Sequence, residues 1–399
     1  MGCFDNDGDF DVAIQNNVNQ NNQFFENNGD GTFTQKFNAI TTHTSSSSAW
    51  GDFDNDGFID FVQVGSYPER KTYLYRNNGD KSFKDVSDEQ GITNTNYSWG
   101  VAWSDYDKDG FLDFFIANSN LGPSFLTNDI LYHNTPNGNG WINIKLKGTN
   151  SNHSAIGAMV KIYANGKWQF RTVQSKTGNN SENSLHVHFG IGQAEKIDNI
   201  QVMWPNQGYQ EILNQEKNNF IEITEIDFPK APTMLTTSIS LPGEVKLNWT
   251  DNSNNETGFR IERSKGDTNN FSLIATVPEG ANSFIDNSLQ NGTYFYRVAS
   301  AISGGFSLYS NISTGVNLVT GLEYQKEDEI LIYPNPVSDN LLISNKNFGG
   351  GIIKIVDTNG RIVYDGKLNA INEVVSFSDF APGIYILFMD NRRIKILKK

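Results

Sequence analysis

The stretch WGDFDNDGFIDF, residues 50–61, places Asp52, Asp54, Asp56 and Asp60 within nine positions around Gly57. Four like charges this close repel one another unless a positive charge sits among them. In the order D-x-D-x-D-G-x-x-D, the first, third and fifth side chains turn into one small cup. The glycine permits the sharp bend, the seventh residue offers its backbone carbonyl, and the ninth closes the cage. The expected ligands are therefore Asp52, Asp54, Asp56, the Phe58 carbonyl and Asp60. This number of hard oxygens suits Ca²⁺ better than Mg²⁺, which requires a rigid octahedron and keeps its waters. An EF-hand is excluded, because position 12 is Gln63 rather than Glu and the flanks are strand-like.

The same pattern recurs on both sides. GCFDNDGDFD (2–11) and SDYDKDGFLD (104–113) align with GDFDNDGFID (51–60) without gaps, at steps of 49 residues (Asp5 to Asp54) and 53 residues (Asp54 to Asp107). The third loop offers Asp105, Asp107, Asp109, the Phe111 carbonyl and Asp113. In the first, Cys3 stands where the first aspartate belongs. Asp5, Asp7 and Asp11 keep ligand positions there, and Asp9 occupies the carbonyl position. Each loop runs into an apolar segment, followed by FFENNGDGTF (24–33), YLYRNNGDKSF (73–83) or the fainter ILYHNTPNGNGW (130–141). Asn-Gly between aromatic runs predicts hairpins with both central residues at positive φ. A unit of about 50 residues with several short antiparallel strands has the size of a propeller blade.

These repeats resemble the FG-GAP/VCBS repeats, the calcium-binding propeller blades also found in integrin α chains, over residues 1–140. The resemblance implies Ca²⁺ as the bound ion. Three repeats do not close a ring, since propellers use about four to eight blades. Met1 also leads straight into a charged loop. The expectation is that further blades and a signal peptide lie upstream, or that the gene is broken.

The whole chain has 399 residues, a formal charge of −14 and one cysteine. Two to four domains are expected from the length. The 27 Phe, 15 Tyr and 36 Gly favour an all-β chain with many turns. The acidic excess disfavours nucleic acid and anionic lipid as partners. No segment offers the 18 or more apolar residues of a membrane helix. A lone Cys3 leaves no internal disulfide.

Beyond residue 140 the acidic loops stop. WINIKLK (141–147) alternates as a half-buried strand does, and AMVKIY and WQFRTV continue in that manner. SAIGAMVKI, HVHFGIG and IQVMWP, with Gly157, Ala158, Phe189, Gly190, Gly192, Trp204 and Pro205, resemble the ASPIC/UnbV domain over 141–225. That domain commonly follows FG-GAP repeats, as in the cartilage acidic protein family. GNNSENS (178–184) departs from its usual pattern. In residues 231–318, Val245, Leu247 and Trp249 share one face, as do Phe259 with Ile261 and Tyr294 with Tyr296 and Val298. The early Trp and late Tyr resemble a fibronectin type III sandwich, with Tyr294 as its corner tyrosine. NLVTGLEYQKEDEI (317–330) is polar and acidic, and 319–330 reads as a linker. Then IYPNPVSDNLLI, DTNGRIV, APGIYIL and the basic end resemble, over 331–399, the type A C-terminal sorting domain of the type IX secretion system of Bacteroidota. That resemblance implies passage across the outer membrane and display or release outside the cell, with the secretion machinery as a partner.

His186 and His188 share a strand face and could hold a metal, but the place of His188 in the HFGIG run favours packing. Trp50 and Trp103 hold equivalent repeat positions and are expected to pack blades together. Trp99, Trp141 and Trp168 are candidates for a surface platform. No catalytic residue is assigned. The expected function is a secreted, surface-displayed calcium-binding protein that recognises an extracellular glycan or protein. An extracellular polysaccharide-active enzyme and a structural matrix component are the alternatives.

Overall fold

The computed structural model describes residues 2–16, 20–36, 39–65, 70–119, 127–179, 181–241, 243–318, 330–345, 351–368, 372–389 and 392–399. The expected linker, apart from its last residue, lies outside them. Strands dominate, and among the described residues the helical content is one 3-10 turn at Ala39–Thr42. The all-β expectation holds.

Each acidic repeat becomes one antiparallel sheet. The second is complete, with strands Ser47–Gly51, Asp60–Val64, Tyr73–Asn77 and Phe83–Asp85 paired in chain order. The first pairs Val12–Ile14, Gln23–Asn27 and Phe33–Lys36, and the third pairs Ser98–Ser104, Asp113–Asn118 and Ile130–Tyr132. The sheets stack face to face through their aromatics. Phe4 and Phe24 of the first meet Phe61, Tyr75 and Phe83 of the second. Val62, Val64 and Leu74 of the second meet Val101, Trp103 and Phe114 of the third. Each large side chain buried in this way contributes roughly 1.5–3 kcal/mol.

The two tryptophans act as expected. A Cβ on Gly2 would lie 3.1 Å from the Trp50 ring, and one on Gly51 would lie 2.9 Å from the Trp103 ring. Each indole thus lies on the glycine of the preceding repeat, where nothing larger fits.

The hairpins differ from the two-residue turns read from Asn-Gly. The positive-φ residues are Gly29 and Gly31 in the first repeat and Gly79 and Lys81 in the second. Each turn spans five residues, closed by Asn28 N–H to Thr32 O at 3.0 Å and Asn78 N–H to Ser82 O at 3.0 Å. The reason is local: Asp30 and Asp80 each accept the N–H and hydroxyl of the residue two further on. That folds the chain before a tighter turn can form.

Next comes a sandwich with a core of Ile142, Ile144, Val160, Ile162, Phe189, Ile200, Val202 and Trp204. Its smaller sheet is Val187–Gly192, Gly140–Lys147 and Asn219–Thr224, the last two parallel. Its larger sheet, Lys167–Thr172, Met159–Ala164, Lys196–Met203 and Gly208–Glu216, does not stop at its edge. Gly208–Glu216 pairs with Gly305–Ser307, so one sheet of nine strands continues across the expected boundary into the next sandwich. Tyr209 stacks on Phe306 at this seam, with centroids 4.8 Å apart.

The second sandwich has Val245, Leu247, Trp249, Phe259, Ile261, Tyr294, Tyr296 and Val298 in its core, the faces read from the alternation. The Tyr294 hydroxyl donates to the Gln290 carbonyl at 3.0 Å, the corner contact expected of it. At the C-terminus, a three-stranded sheet (Ile330–Tyr333, Asn340–Asn345, Asn372–Ser376) covers a four-stranded one (Ile362–Leu368, Gly351–Asp357, Gly383–Met389, Arg392–Lys398).

Candidate metal centre

The three acidic loops have one backbone. Their fourth residues, Asn6, Asn55 and Lys108, have φ of 61°, 56° and 63°, and their sixth, Gly8, Gly57 and Gly110, have φ of 103°, 97° and 89°. Asn tolerates the left-handed region and Gly occupies it freely, so D-N-D-G encodes this bend directly.

The ninth residue serves as a staple. Asp60 accepts Phe53 N–H at 2.9 Å on one oxygen and Asn77 N–H at 2.8 Å on the other. Asp11 does the same with Phe4 and Asn27 at 3.1 and 3.0 Å, and Asp113 with Tyr106 and Asn134 at 3.2 and 2.8 Å. The Asn of each hairpin is thus tied to its own loop, including the faint third echo. The first residue takes the N–H of the loop glycine: Gly57 to Asp52 at 3.0 Å, Gly110 to Asp105 at 3.1 Å and Gly8 to the Cys3 sulfur at 3.3 Å.

Successive loops also hold one another. Asn6 Nδ2 donates to Gly57 O at 2.9 Å, and Asn55 Nδ2 donates to Gly110 O at 2.9 Å. All three loops therefore line one rim of the stacked sheets.

Several of the expected ligands are brought together. One carboxylate oxygen from each of Asp52, Asp54 and Asp60 falls within 4.8 Å of the others, as is true of Asp105, Asp107 and Asp109. Asp107 and Asp113 also cluster with His133, a residue the sequence did not single out for the site. Asp56 stands outside the Asp52 cluster, and its Oδ1 accepts Phe58 N–H at 2.9 Å. Asp109 accepts Phe111 N–H in the same way at 2.9 Å. In the first loop the cluster is Cys3, Asp5 and Asp7. Asp9 lies apart from it, with a buried oxygen that accepts no hydrogen bond.

The electrostatics are those of crowded, half-dry carboxylates. Asp52 is pushed up to about 8, mostly by burial, against the pull of Arg171 and with the help of Asp56 and Asp54. Burial pushes Asp54 and Asp105 up to about 6 and Asp11 up to about 7, and it drives Asp60 well above the ordinary range. Asp54 Oδ1 and Asp105 Oδ1 are buried and accept no hydrogen bond. A buried carboxylate oxygen without a partner is costly, and a cation removes that cost. The donors of the second and third loops themselves are all hard oxygen, with the His133 imidazole beside the third, and an oxygen set of this kind fits a calcium-sized ion.

The tertiary structure adds a lid that no local pattern announced. The strand Val187–Gly192 of the following sandwich lies on the second loop. Gly190 N–H donates to Asp52 Oδ2 at 3.1 Å and Gly192 N–H donates to Asn55 O at 2.8 Å. Asn55 Nδ2 is already committed to Gly110, so its Oδ1 accepts, and His188 Nε2 donates to it at 2.7 Å. His188 is held neutral, pushed down to about 3 by burial and then by Arg171. The Arg171 guanidinium lies 3.9 Å from Asp52. Trp141 is no surface platform: it is buried over Gly110, where an added Cβ would meet the indole at 1.7 Å. Trp99 is exposed and Trp168 is half-buried under Lys161. Between loops and lid is a cavity of about 110 Å³ lined by Trp50, Trp103, Arg171, Asn183, His186 and His188. Burial pushes the Cys3 thiol up to about 12, which makes it a poor nucleophile.

Stacked antiparallel sheets with acidic rim loops, followed by three further β units, define a modular all-β repeat protein. Family comparisons agree. The FG-GAP-like repeat model matches residues 4–63 and 52–116, the ASPIC and UnbV model matches 148–229, and the secretion system C-terminal sorting domain matches 331–399. The chain therefore carries FG-GAP-like repeats, an ASPIC/UnbV domain and a type IX sorting domain, and it is exported to the cell surface or beyond. No curated protein matches it. Among solved structures it is similar to an Fn3-like protein from Clostridium thermocellum (23% identity, 21% of this chain and 88% of that one, TM-score 0.19). A second is titled as a myokine structure (25% identity, 22% and 93%, TM-score 0.18). A third is a two-domain fibronectin type III segment of chicken tenascin (15% identity, 43% and 100%, TM-score 0.21). No helix among the described residues is long and apolar enough to cross a membrane.

Proposed function

We propose that this exported surface protein binds Ca²⁺ in two of its repeat loops and presents the stiffened repeats for recognition of an extracellular glycan or protein. One ion would be held by Asp52, Asp54, Asp56, the Phe58 carbonyl and Asp60. The other would be held by Asp105, Asp107, Asp109, the Phe111 carbonyl and Asp113. The observation that carries this reading is the pair of buried, unpartnered oxygens on Asp54 and Asp105, each inside a cluster of carboxylates. When bound, the ion supplies charge compensation and rigidity rather than chemistry. Around it the chain's own residues set the shape: the staples Asp60 and Asp113 hold the hairpins, and Gly190 and His188 hold the lid. The division into repeats (1–140), ASPIC/UnbV domain (141–225), fibronectin-like sandwich (231–318), linker (319–330) and sorting domain (331–399) is part of the same reading. The cavity walled by Trp50, Trp103, Asn183 and His186 is the candidate place for a small polar group of the ligand.

Calorimetric titration of the chelator-stripped chain with Ca²⁺ tests the metal. Saturable heat with a dissociation constant of about 10⁻⁴ to 10⁻³ M is expected for extracellular calcium modules. Asp54→Asn and Asp107→Asn should each remove one site. A flat titration overturns the reading. A glycan array tests recognition: saturable binding without product supports it, and product formation moves the function to an enzyme.

A further inference from the structure

We propose that the first acidic loop uses an internal cation, the Lys81 ammonium, in place of a metal ion, so that the chain has three loops but two calcium sites. This deepens the calcium reading and rests on it for the ion count alone. Lys81 comes from the hairpin of the second repeat. Its Nζ lies 2.8 Å from Asp5 Oδ2 and 2.5 Å from Glu26 Oε1, and Lys36 meets the other Glu26 oxygen at 2.8 Å. The ammonium therefore reaches the carboxylate at the third position of the first loop from a neighbouring repeat.

Two independent features agree with this. The loop has lost the carboxylate at its first position: Cys3 replaces the aspartate there, and its sulfur accepts the Gly8 N–H just as Asp52 accepts that of Gly57. The fold of the loop is preserved while one negative ligand is removed. Lys81 also adopts φ of 70°, at the turn position where the first repeat has Gly31 at φ 85°. A non-glycine residue in that region is unfavourable, and a favourable contact of its side chain offsets the cost. The ion pair with Asp5 and Glu26 supplies it. The hairpin facing the second loop makes no such contact. There Asn137 and Asn139 donate to the Asp54 carbonyl at 2.6 and 2.8 Å, and the Asp54 carboxylate has the Arg76 guanidinium of its own repeat at 3.8 Å, beyond hydrogen-bond distance.

The test uses the full chain and two readouts. In calcium titration, wild type should saturate at two ions, and Cys3→Asp/Lys81→Gly, which restores the first aspartate and the glycine, should saturate at three. Three ions in wild type, or two in the double variant, would overturn the proposal. The second readout works without any calcium: amide hydrogen exchange of the peptide covering residues 2–11, followed by mass spectrometry under chelation. Lys81→Met should raise its exchange about tenfold, and Lys81→Arg should restore most of the protection. Unchanged exchange in Lys81→Met sinks the internal cation whether or not the other loops bind metal.

Discussion

The backbone N–H of Gly190 donates to the Asp52 carboxylate at 3.1 Å, although 138 positions separate the two residues. The first aspartate of an acidic loop is thus held by a strand of the sandwich that follows the stacked repeats. An extra methyl on Gly190 would come within 2.3 Å of Asn55 Cα, so the contact depends on glycine. Gly190→Ala should cost about 1–3 kcal/mol through overpacking. It should also expose the junction between repeats and lid to limited proteolysis. An unchanged digestion pattern and denaturation midpoint would show that the lid does not depend on this approach.

Calcium should act on stability. Binding to the folded state alone adds roughly 1.4 kcal/mol when the ion is at ten times its dissociation constant. EGTA is expected to lower the melting temperature of the repeats and leave the sandwich of residues 231–318 unchanged. Asp54→Ala and Asp107→Ala should reproduce the effect of chelation. Superimposable melting curves with and without EGTA are the contrary result.

The seam between the two sandwiches should be mechanically shared. Phe306 is buried, stacks on Tyr209 and lies 4.5 Å beneath the Arg260 guanidinium. Phe306→Ala removes all three contacts and should cost about 3–5 kcal/mol. Chemical denaturation should then resolve two transitions where wild type shows one for this pair. A single unshifted transition would mean the continuous sheet carries no coupling.

Acid should loosen the same two sandwiches. Burial works against the charge of Glu225, but hydrogen bonds from the backbone of Ser151, Thr149 and Asn150 outweigh it and hold the carboxyl below its usual 4.5. For Glu262, burial is likewise outweighed by Arg260, Tyr309 and Arg297. Both groups have depressed folded values. Their stabilisation is therefore present above pH 4.5 and lost as pH falls through the folded values. Urea midpoints should be level above about pH 5 and fall below 4.5. Glu225→Gln should flatten that fall and cost roughly 2 kcal/mol at neutral pH, in keeping with bonds to a charged acceptor. A midpoint that rises on acidification below 4.5 would contradict the sign.

The corner tyrosine gives a smaller, cleaner test. Tyr294→Phe deletes the bond to the Gln290 carbonyl and little else. A loss of about 1 kcal/mol in the fibronectin-like sandwich is expected. No loss would show the corner to be ornamental in this chain.

Much of this molecule is written locally. D-N-D-G dictates a bend because Asn and Gly tolerate left-handed backbone, and Asn6, Gly8, Asn55 and Gly57 adopt it. Alternation in 245–249 and 259–261 put Trp249 and Phe259 in a core because strand side chains alternate by geometry. The repeat spacing yielded three stacked sheets because each unit must bury one face against the next. What the local pattern left open were the partners. Nothing near Asp52 indicates Gly190, Arg171 or His188, nothing near Asp5 indicates Lys81, and nothing at Gly208–Glu216 indicates that the strand borrows an edge from Gly305–Ser307. Such contacts arise only after sheets are stacked and edges find partners. Backbone preference acts over a few residues, whereas charge compensation and edge pairing are settled by whatever folding brings alongside.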